Sequence, residues 1–143
     1  MRLVTRGDLD GLTSAVIITM NEPIDKIVLV HPQDITDKKV EIRSDDILAN
    51  VPYHPNAGKW FDHHLLTASN ETPPAQFEGR YRVAPSAARL VYEYYTEKYP
   101  NDPDLEKLAP LVDDTEGLVE YTDVCHASAF AMMLGGLIEA NVE

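Results

Sequence analysis

Apolar residues gather along this chain in short blocks separated by turn formers. Leu3-Val4-Thr5 is a short β-prone run, and Ile27-Val28-Leu29-Val30 is a continuous apolar one, as expected of a strand covered on both faces. Between them, Leu12 to Met20 carries the small and apolar residues of a buried helix, closed by Asn21 and Pro23. Strand, acidic turn, helix and strand make a βαβ unit, which favours a parallel pair joined by a right-handed crossover. Asp34 to Glu41 is polar and predicts loop or turn, and Asp45 to Val51, acidic and then apolar, predicts a weaker strand. Pro52 to Gly58 is turn-rich. Lys59-Trp60-Phe61 predicts a short strand that delivers Asp62-His63-His64 at its C-terminal end. Leu65 to Arg80 carries Pro73, Pro74 and Gly79 and predicts a long loop of the kind that is often functional. From Ser86 to Tyr99 the apolar positions Ala87, Leu90, Val91, Tyr94 and Tyr95 form a helical stripe, with Pro85 before it and Pro100 ending it. Asp104 to Val112 predicts a second such helix. Tyr121 to Glu139 predicts a third, its far end weakened by Gly135 and Gly136. The expectation is an α/β fold with a mainly parallel sheet and helices on both faces, in one domain over residues 1–143.

Composition narrows the function more than the fold. With 44% hydrophobic residues in 143, the chain can bury a real core and is not a disordered tail. A net charge of −12 leaves no basic docking face, so double-stranded nucleic acid is not an expected partner. A phosphate substrate would need bound cations to supply local positive charge. The single cysteine, Cys125, excludes a disulfide within the chain and points to the cytoplasm. No apolar stretch approaches the ~18 residues of a spanning helix, and the N-terminus lacks a secretory pattern, so no membrane is expected.

The chemistry concentrates at three predicted strand ends. In an open α/β sheet, ligands bind beyond the carboxyl ends of the strands. Asp8 and Asp10 follow the first strand, Asp62, His63 and His64 follow the last, and Asp45 or Asp46 belongs to the one between. Carboxylates with an imidazole suit Mn²⁺ or Mg²⁺, and histidine tilts the choice to Mn²⁺. Two ions ~3.5–4 Å apart would activate water for in-line displacement at phosphorus. Plainer readings hold elsewhere. His31 before Pro32, His54 between Pro52 and Pro55, and the Cys125-His126 pair read as structural, and nothing in the sequence sets a base and orienter around Cys125 as a nucleophile. Tyr92, Tyr94 and Tyr95 read as packing residues. Arg80, Arg82 and Arg89 have the fork geometry that clamps phosphate, though a surface role suits each taken singly.

Asp62-His63-His64, with Gly7-Asp8-Leu9-Asp10-Gly11 upstream, resembles the DHH phosphoesterase family. Asp45 to Tyr53 resembles the second-motif region of its exopolyphosphatase-like branch, and Pro85 to Tyr92 resembles the helix after the triplet. The resemblance implies a metal-dependent phosphoesterase acting on polyphosphate, pyrophosphate or a short oligonucleotide or dinucleotide, with Mn²⁺ or Mg²⁺ as a pair of ions. By motif, Asp8, Asp10 and His63 would be metal ligands and Asp46 a bridging carboxylate. His64 and Arg89 would contact the substrate phosphate, and Asp62 would hold its neighbour histidine's orientation. The family's last aspartate falls on Asp123, with Asp114 the alternative. Two departures stand out. Arg6 occupies the place where many members have a histidine, and the family's C-terminal substrate-binding domain is expected to be absent. The alternative reading is therefore a non-catalytic metal- or phosphate-binding domain that needs a partner. Homo-oligomerisation stays open.

Overall fold

The computed structural model describes residues 1–64 and 73–118. Five parallel strands form one sheet in the order β2-β1-β3-β4-β5. They are β1 (Arg2–Thr5), β2 (Lys26–Leu29), β3 (Asp46–Ala49), β4 (Lys59–Asp62) and β5 (Gly79–Tyr81). Between β1 and β2 runs α1 (Leu9–Asn21), and α2 (Pro32–Thr36) follows β2. After the sheet come α3 (Ala87–Lys98), α4 (Pro103–Glu106) and α5 (Ala109–Leu118).

Side chains alternate between faces although the strand sequences are continuously apolar, because each face carries its own core. On one face Leu3, Ile27, Ile47, Ala49 and Phe61 pack against α1, α3, α4 and α5 through Ile17, Ile18, Val91, Tyr95, Leu105 and Val112. On the other face Val4, Leu48 and Trp60 pack against Ile35 of α2 and against Val30, Ile42 and Val51. Trp60 anchors that second face. Its indole Nε1–H donates to Val51 O at 2.9 Å, Tyr81 stacks on it at 5.1 Å, and Tyr53 and Phe77 meet it edge-on. The expected parallel α/β sheet with helices on both faces is what the chain forms.

Two elements arise where the sequence predicts loop. The short α2 starts at Pro32 because His31 caps it: its Nδ1 accepts the Gln33 N–H at 3.1 Å while Asp34 reaches back to the His31 N–H. That gives His31 a structural task. β5 is a three-residue strand with no apolar periodicity of its own, held by pairing with β4. Gly79 is required there, with φ +124° and with Trp60 O 2.0 Å from where a Cβ would sit. The helix predicted over Asp104 to Val112 is two helices, α4 and α5, each with its own buried anchor, Leu105 and Val112. The helix predicted over Tyr121 to Glu139, and with it Asp123, Cys125 and His126, lies outside the described residues.

The sheet reverses its direction of growth between β1 and β3, since the chain lays β2 on one side of β1 and then β3 on the other. Such a switch point leaves a crevice at the carboxyl edge. Gly11 keeps it tight: a Cβ on this residue would lie 1.8 Å from Arg6 O and 3.0 Å from Thr5 Oγ1. Gly11→Ala is therefore expected to push the start of α1 off the end of β1. The expected cost is about 3 kcal/mol, the upper range for overpacking, measured as a lowered denaturation midpoint with an unchanged m-value.

Candidate functional site

Register extends the sheet by one row beyond its carboxyl edge. Thr5 pairs with Ala49, Ala49 with Phe61, and Phe61 with Arg80, so the next row is Arg6, Asn50, Asp62 and Tyr81. The candidate site is built on this row, the turns that leave it and the first turn of α1.

Asp8 is the N-cap of α1, and its Oδ1 accepts the Gly11 N–H at 2.8 Å. The same carboxylate receives Asn50 Nδ2 at 3.0 Å and faces Arg6 Nε at 3.3 Å. Asp10, two residues on, is fully buried. Its Oδ2 and Oδ1 accept the Ala87 and Ala88 N–H groups at 2.9 and 2.8 Å, the first amides of α3. These amides lack partners within their own helix, and the helix N-terminus favours an anion. Asp10 Oδ2 also lies 3.2 Å from His63 Nε2.

The two histidines are held in different ways. His63 Nδ1 lies 2.9 Å from Ala84 O. A carbonyl can only accept, so Nδ1 carries the proton and Nε2 is the atom turned to Asp10. Burial alone would lower the basicity of His63. The hydrogen bond to Asp10, that carboxylate's charge, the Ala84 carbonyl and Asp62 outweigh it, and its pKa is raised above the usual histidine range. His64 Nδ1 lies 2.6 Å from Asp62 Oδ1, which also accepts the His63 N–H at 2.9 Å. Asp62 thus orients His64 and leaves its Nε2 facing outward on a side chain 45% exposed. Tyr81 Oη–H donates to His64 O at 2.7 Å and fixes the backbone of the doublet from β5.

Of the residues singled out in the sequence, the structure brings Asp8, Asp10, Asp62, His63 and His64 to one edge. It sends Asp46 elsewhere. Asp46 opens β3 at the amino edge, fully buried, where Arg2 donates from Nε at 2.9 Å and from Nη2 at 2.6 Å. The Arg43 N–H adds a third bond at 2.8 Å. Four residues of strand, about 13 Å at ~3.3 Å per residue, separate it from the row that carries Asn50. The expectation of a bridging carboxylate at Asp46 is corrected for that reason: it is the charge partner of Arg2. Arg89 is likewise engaged, by Glu116 Oε1 at 2.5 Å and Asp113 Oδ1 at 2.5 Å, and ties α3 to α5. Asp45 and Asp114 are exposed, and His54 Nδ1 caps a turn by accepting the Asn56 N–H at 3.1 Å. Asp123 lies outside the described residues.

Two residues of this edge escaped the sequence reading. Asn50 leaves β3 in the left-handed region, φ 61°, with its side chain 1% exposed and its Oδ1 without a hydrogen-bond partner among the described residues. Tyr81 lies just beyond the segment predicted as loop. The signal for Asn50 was present, since it is the residue after the apolar run of β3 and stands before Val51-Pro52.

The donor set fits a hard divalent cation. Asp10 Oδ2 and His63 Nε2 face each other, Asp8 stands two residues before Asp10 with Asn50 bonded to it, and oxygen ligands with one nitrogen suit Mn²⁺ or Mg²⁺. The ligand atoms of Asp62, His63 and His64 lie within 4.8 Å of one another. Asp62 Oδ1 is already committed to the His64 and His63 N–H groups. Asp8 needs such a partner. Its burial pushes the carboxyl above its ordinary range, and Asp10 pushes the same way, against the Gly11 amide, Arg6 and Asn50.

No protein-family model and no curated protein matches the chain. Among solved structures it is similar to "pGpG-specific phosphodiesterase - PggH from Vibrio cholrae", with a TM-score of 0.60 and 39% sequence identity. The similarity covers 80% of this chain and 35% of that one, so the chain spans about a third of that protein's length. The likeness bears out the parallel α/β fold. Among the described residues, no helix is long and apolar enough to cross a membrane.

A carboxyl group with a raised folded-state pKa stabilises the fold only at acid pH, and the gain is lost as pH rises through the folded value. At neutral pH the buried Asp8 charge is therefore a cost in the metal-free protein. Asp8→Asn keeps a good N-cap and removes the charge. The chelated variant is expected to melt above the chelated parent at pH 7. The gap should narrow as pH falls from the raised value towards the ordinary aspartate value of 3.8, and calorimetry over that range measures it.

Proposed function

We propose that the chain is a cation-holding domain of the DHH phosphoesterase family and that it hydrolyses a phosphodiester or phosphoanhydride bond in a short phosphorylated substrate. The observation that supports this most directly is the shared edge. Asp10 is buried 3.2 Å from the Nε2 of His63, Asp8 is buried two residues before it, and an outward-facing His64 stands beside His63, oriented by Asp62. Structure alone does not call for this arrangement. Two carboxylates two residues apart repel in a low-dielectric setting, and a fold without a ligand to hold would do better with a neutral cap at Asp8.

A divalent cation bound here supplies Lewis acidity at the phosphoryl oxygen and a more acidic water. The protein's side chains do the rest. Asp8, Asp10 and His63 present the ligand atoms, and Ala84 O keeps the proton of His63 on Nδ1 so that Nε2 is available. Asp62 holds the proton of His64 on Nδ1. Nε2 of that ring then meets the substrate phosphate, donating when it carries a second proton. Arg6, beside Asp8, offsets charge that develops on the phosphoryl oxygens.

Likeness to a phosphodiesterase specific for pGpG favours a linear dinucleotide as substrate over polyphosphate or pyrophosphate. The rival is metal or phosphate binding without turnover. Release of mononucleotide from pGpG, and of phosphate from pyrophosphate and short polyphosphate, should be assayed with Mn²⁺ and with Mg²⁺. Mn²⁺-dependent cleavage is expected, fastest on the dinucleotide. His64→Ala should lower kcat by about 10²–10³, the loss of one donor to a developing oxyanion, with little change in Mn²⁺ affinity. Turnover that survives His63→Ala would remove the site assignment, and tight Mn²⁺ binding with no substrate cut would favour the rival.

A further inference from the structure

We propose that this edge holds one divalent cation rather than a pair, and that the Arg6 guanidinium permanently supplies the positive charge a second cation would have brought. The inference rests on the metal-centre reading above and departs from the two-ion expectation. It begins with what stands on the row beyond β1 and β3. At those two switch-point positions the chain places Arg6 and Asn50, a cation and a neutral amide, and both turn to the same carboxylate, Asp8.

Charge balance decides between one ion and two. Among the described residues the edge carries the carboxylates Asp8, Asp10 and Asp62. One dication and the guanidinium match those three negative charges. A second dication would leave the buried crevice with two positive charges in excess, and uncompensated charge in a low-dielectric site is costly. Ligand supply gives the same answer. A two-ion centre needs carboxylates that bridge the ions and further donors on each side. Asp46, expected to bridge, is bound to Arg2 at the far edge, and its place on the row is taken by Asn50. Asp10 already accepts two amides of α3.

Arg6 then blocks as well as balances. Its Nε is 3.3 Å from Asp8 Oδ2, so the guanidinium already occupies the near side of that oxygen. A guanidinium does not shed its proton at any working pH and so never becomes a ligand. Asn50 completes the single-ion site. Its Nδ2 donates to Asp8, while Oδ1 of the same carboxamide is buried and unpartnered among the described residues. An amide oxygen is a neutral ligand for a hard cation, and a cation is the partner that this acceptor lacks. The left-handed backbone at Asn50, φ 61°, is a cost that asparagine tolerates better than most residues, and it turns the carboxamide to Asp8.

The test counts ions. Full-length protein stripped by chelation is titrated with Mn²⁺ by calorimetry. Metal per chain is measured after gel filtration, and the Mn²⁺ electron paramagnetic resonance spectrum is recorded. One ion per chain with an isolated-ion spectrum is expected. The double variant Arg6→His, Asn50→Asp should take up a second ion and show a spin-coupled pair. Arg6→His alone, which leaves the backbone of Asn50 untouched, should gain a second ion at lower affinity. Two coupled ions in the parent protein would overturn the proposal and leave the phosphoesterase reading standing if pGpG is cleaved. No bound ion and no cleavage would sink both. A double variant that keeps the parent's circular dichroism and still binds one ion would also overturn it, since Arg6 and Asn50 would then not set the count.

Discussion

The contact between Asp10 and the first amides of α3 organises this molecule. A carboxylate with no exposed surface is expensive unless each lone pair finds a donor. Here two helix-terminal N–H groups provide the donors, in the orientation that a helix N-terminus favours for an anion, and His63 Nε2 faces the same carboxylate. Three elements meet there: α1, which carries Asp10, α3, which offers the amides, and the turn after β4, which brings His63. The α3 helix must start where Asp10 can reach it, and Ser86 ensures this by capping the Arg89 N–H at 3.0 Å. The crevice over the sheet edge is shaped by that one bond set. Its electrostatics follow too, because the carboxylate that anchors the helix is the one His63 faces.

Much of the fold was legible because its strands are buried on both faces. Continuous apolar runs such as Ile27 to Val30 mark central parallel strands, and the acidic turn after Leu3-Val4-Thr5 marks the ligand-binding edge. β5 was not legible. Gly79-Arg80-Tyr81 has no pattern of its own and becomes a strand only through pairing with β4 and the stacking of Tyr81 on Trp60. The short α2 was hidden for a related reason: its cap is a histidine, outside the usual set of Ser, Thr, Asp and Asn.

The misplacement of Asp46 carries a lesson about direction. In a parallel sheet every strand ends at the same edge, so a residue that opens an apolar run and one that follows it lie at opposite edges of the molecule. Asp8 follows β1 and His63 follows β4, whereas Asp46 opens β3 and Asn50 follows it. Strand polarity alone therefore points to Asn50 as the contribution of β3 to the site. Acidity drew attention to Asp46 instead. The same buried charge found its partner in Arg2, the residue directly across from it in the register. Asp10, Asp62 and the histidines were legible because each lies at or after the carboxyl end of its strand.

A net charge of −12 sets the last constraint on any phosphate chemistry at this edge. Screening confines the problem: at physiological salt exposed charges act over ~8 Å, so acids on distant surfaces add little to the field in the crevice. What matters is which positive groups stand at the edge itself. Arg80 and Arg82 are tied to Glu93 and Glu97 on the outer side of α3, and Arg89 to Glu116 and Asp113. These pairs hold the arginines protonated and consume their charge on the fold. At the edge itself the positive side remains with Arg6, the imidazoles of His63 and His64, and whatever cation the carboxylates gather. An acidic protein can thus present a compact positive field to a phosphate. That field depends on metal loading, and the guanidinium of Arg6 is the part of it that stays when the metal leaves.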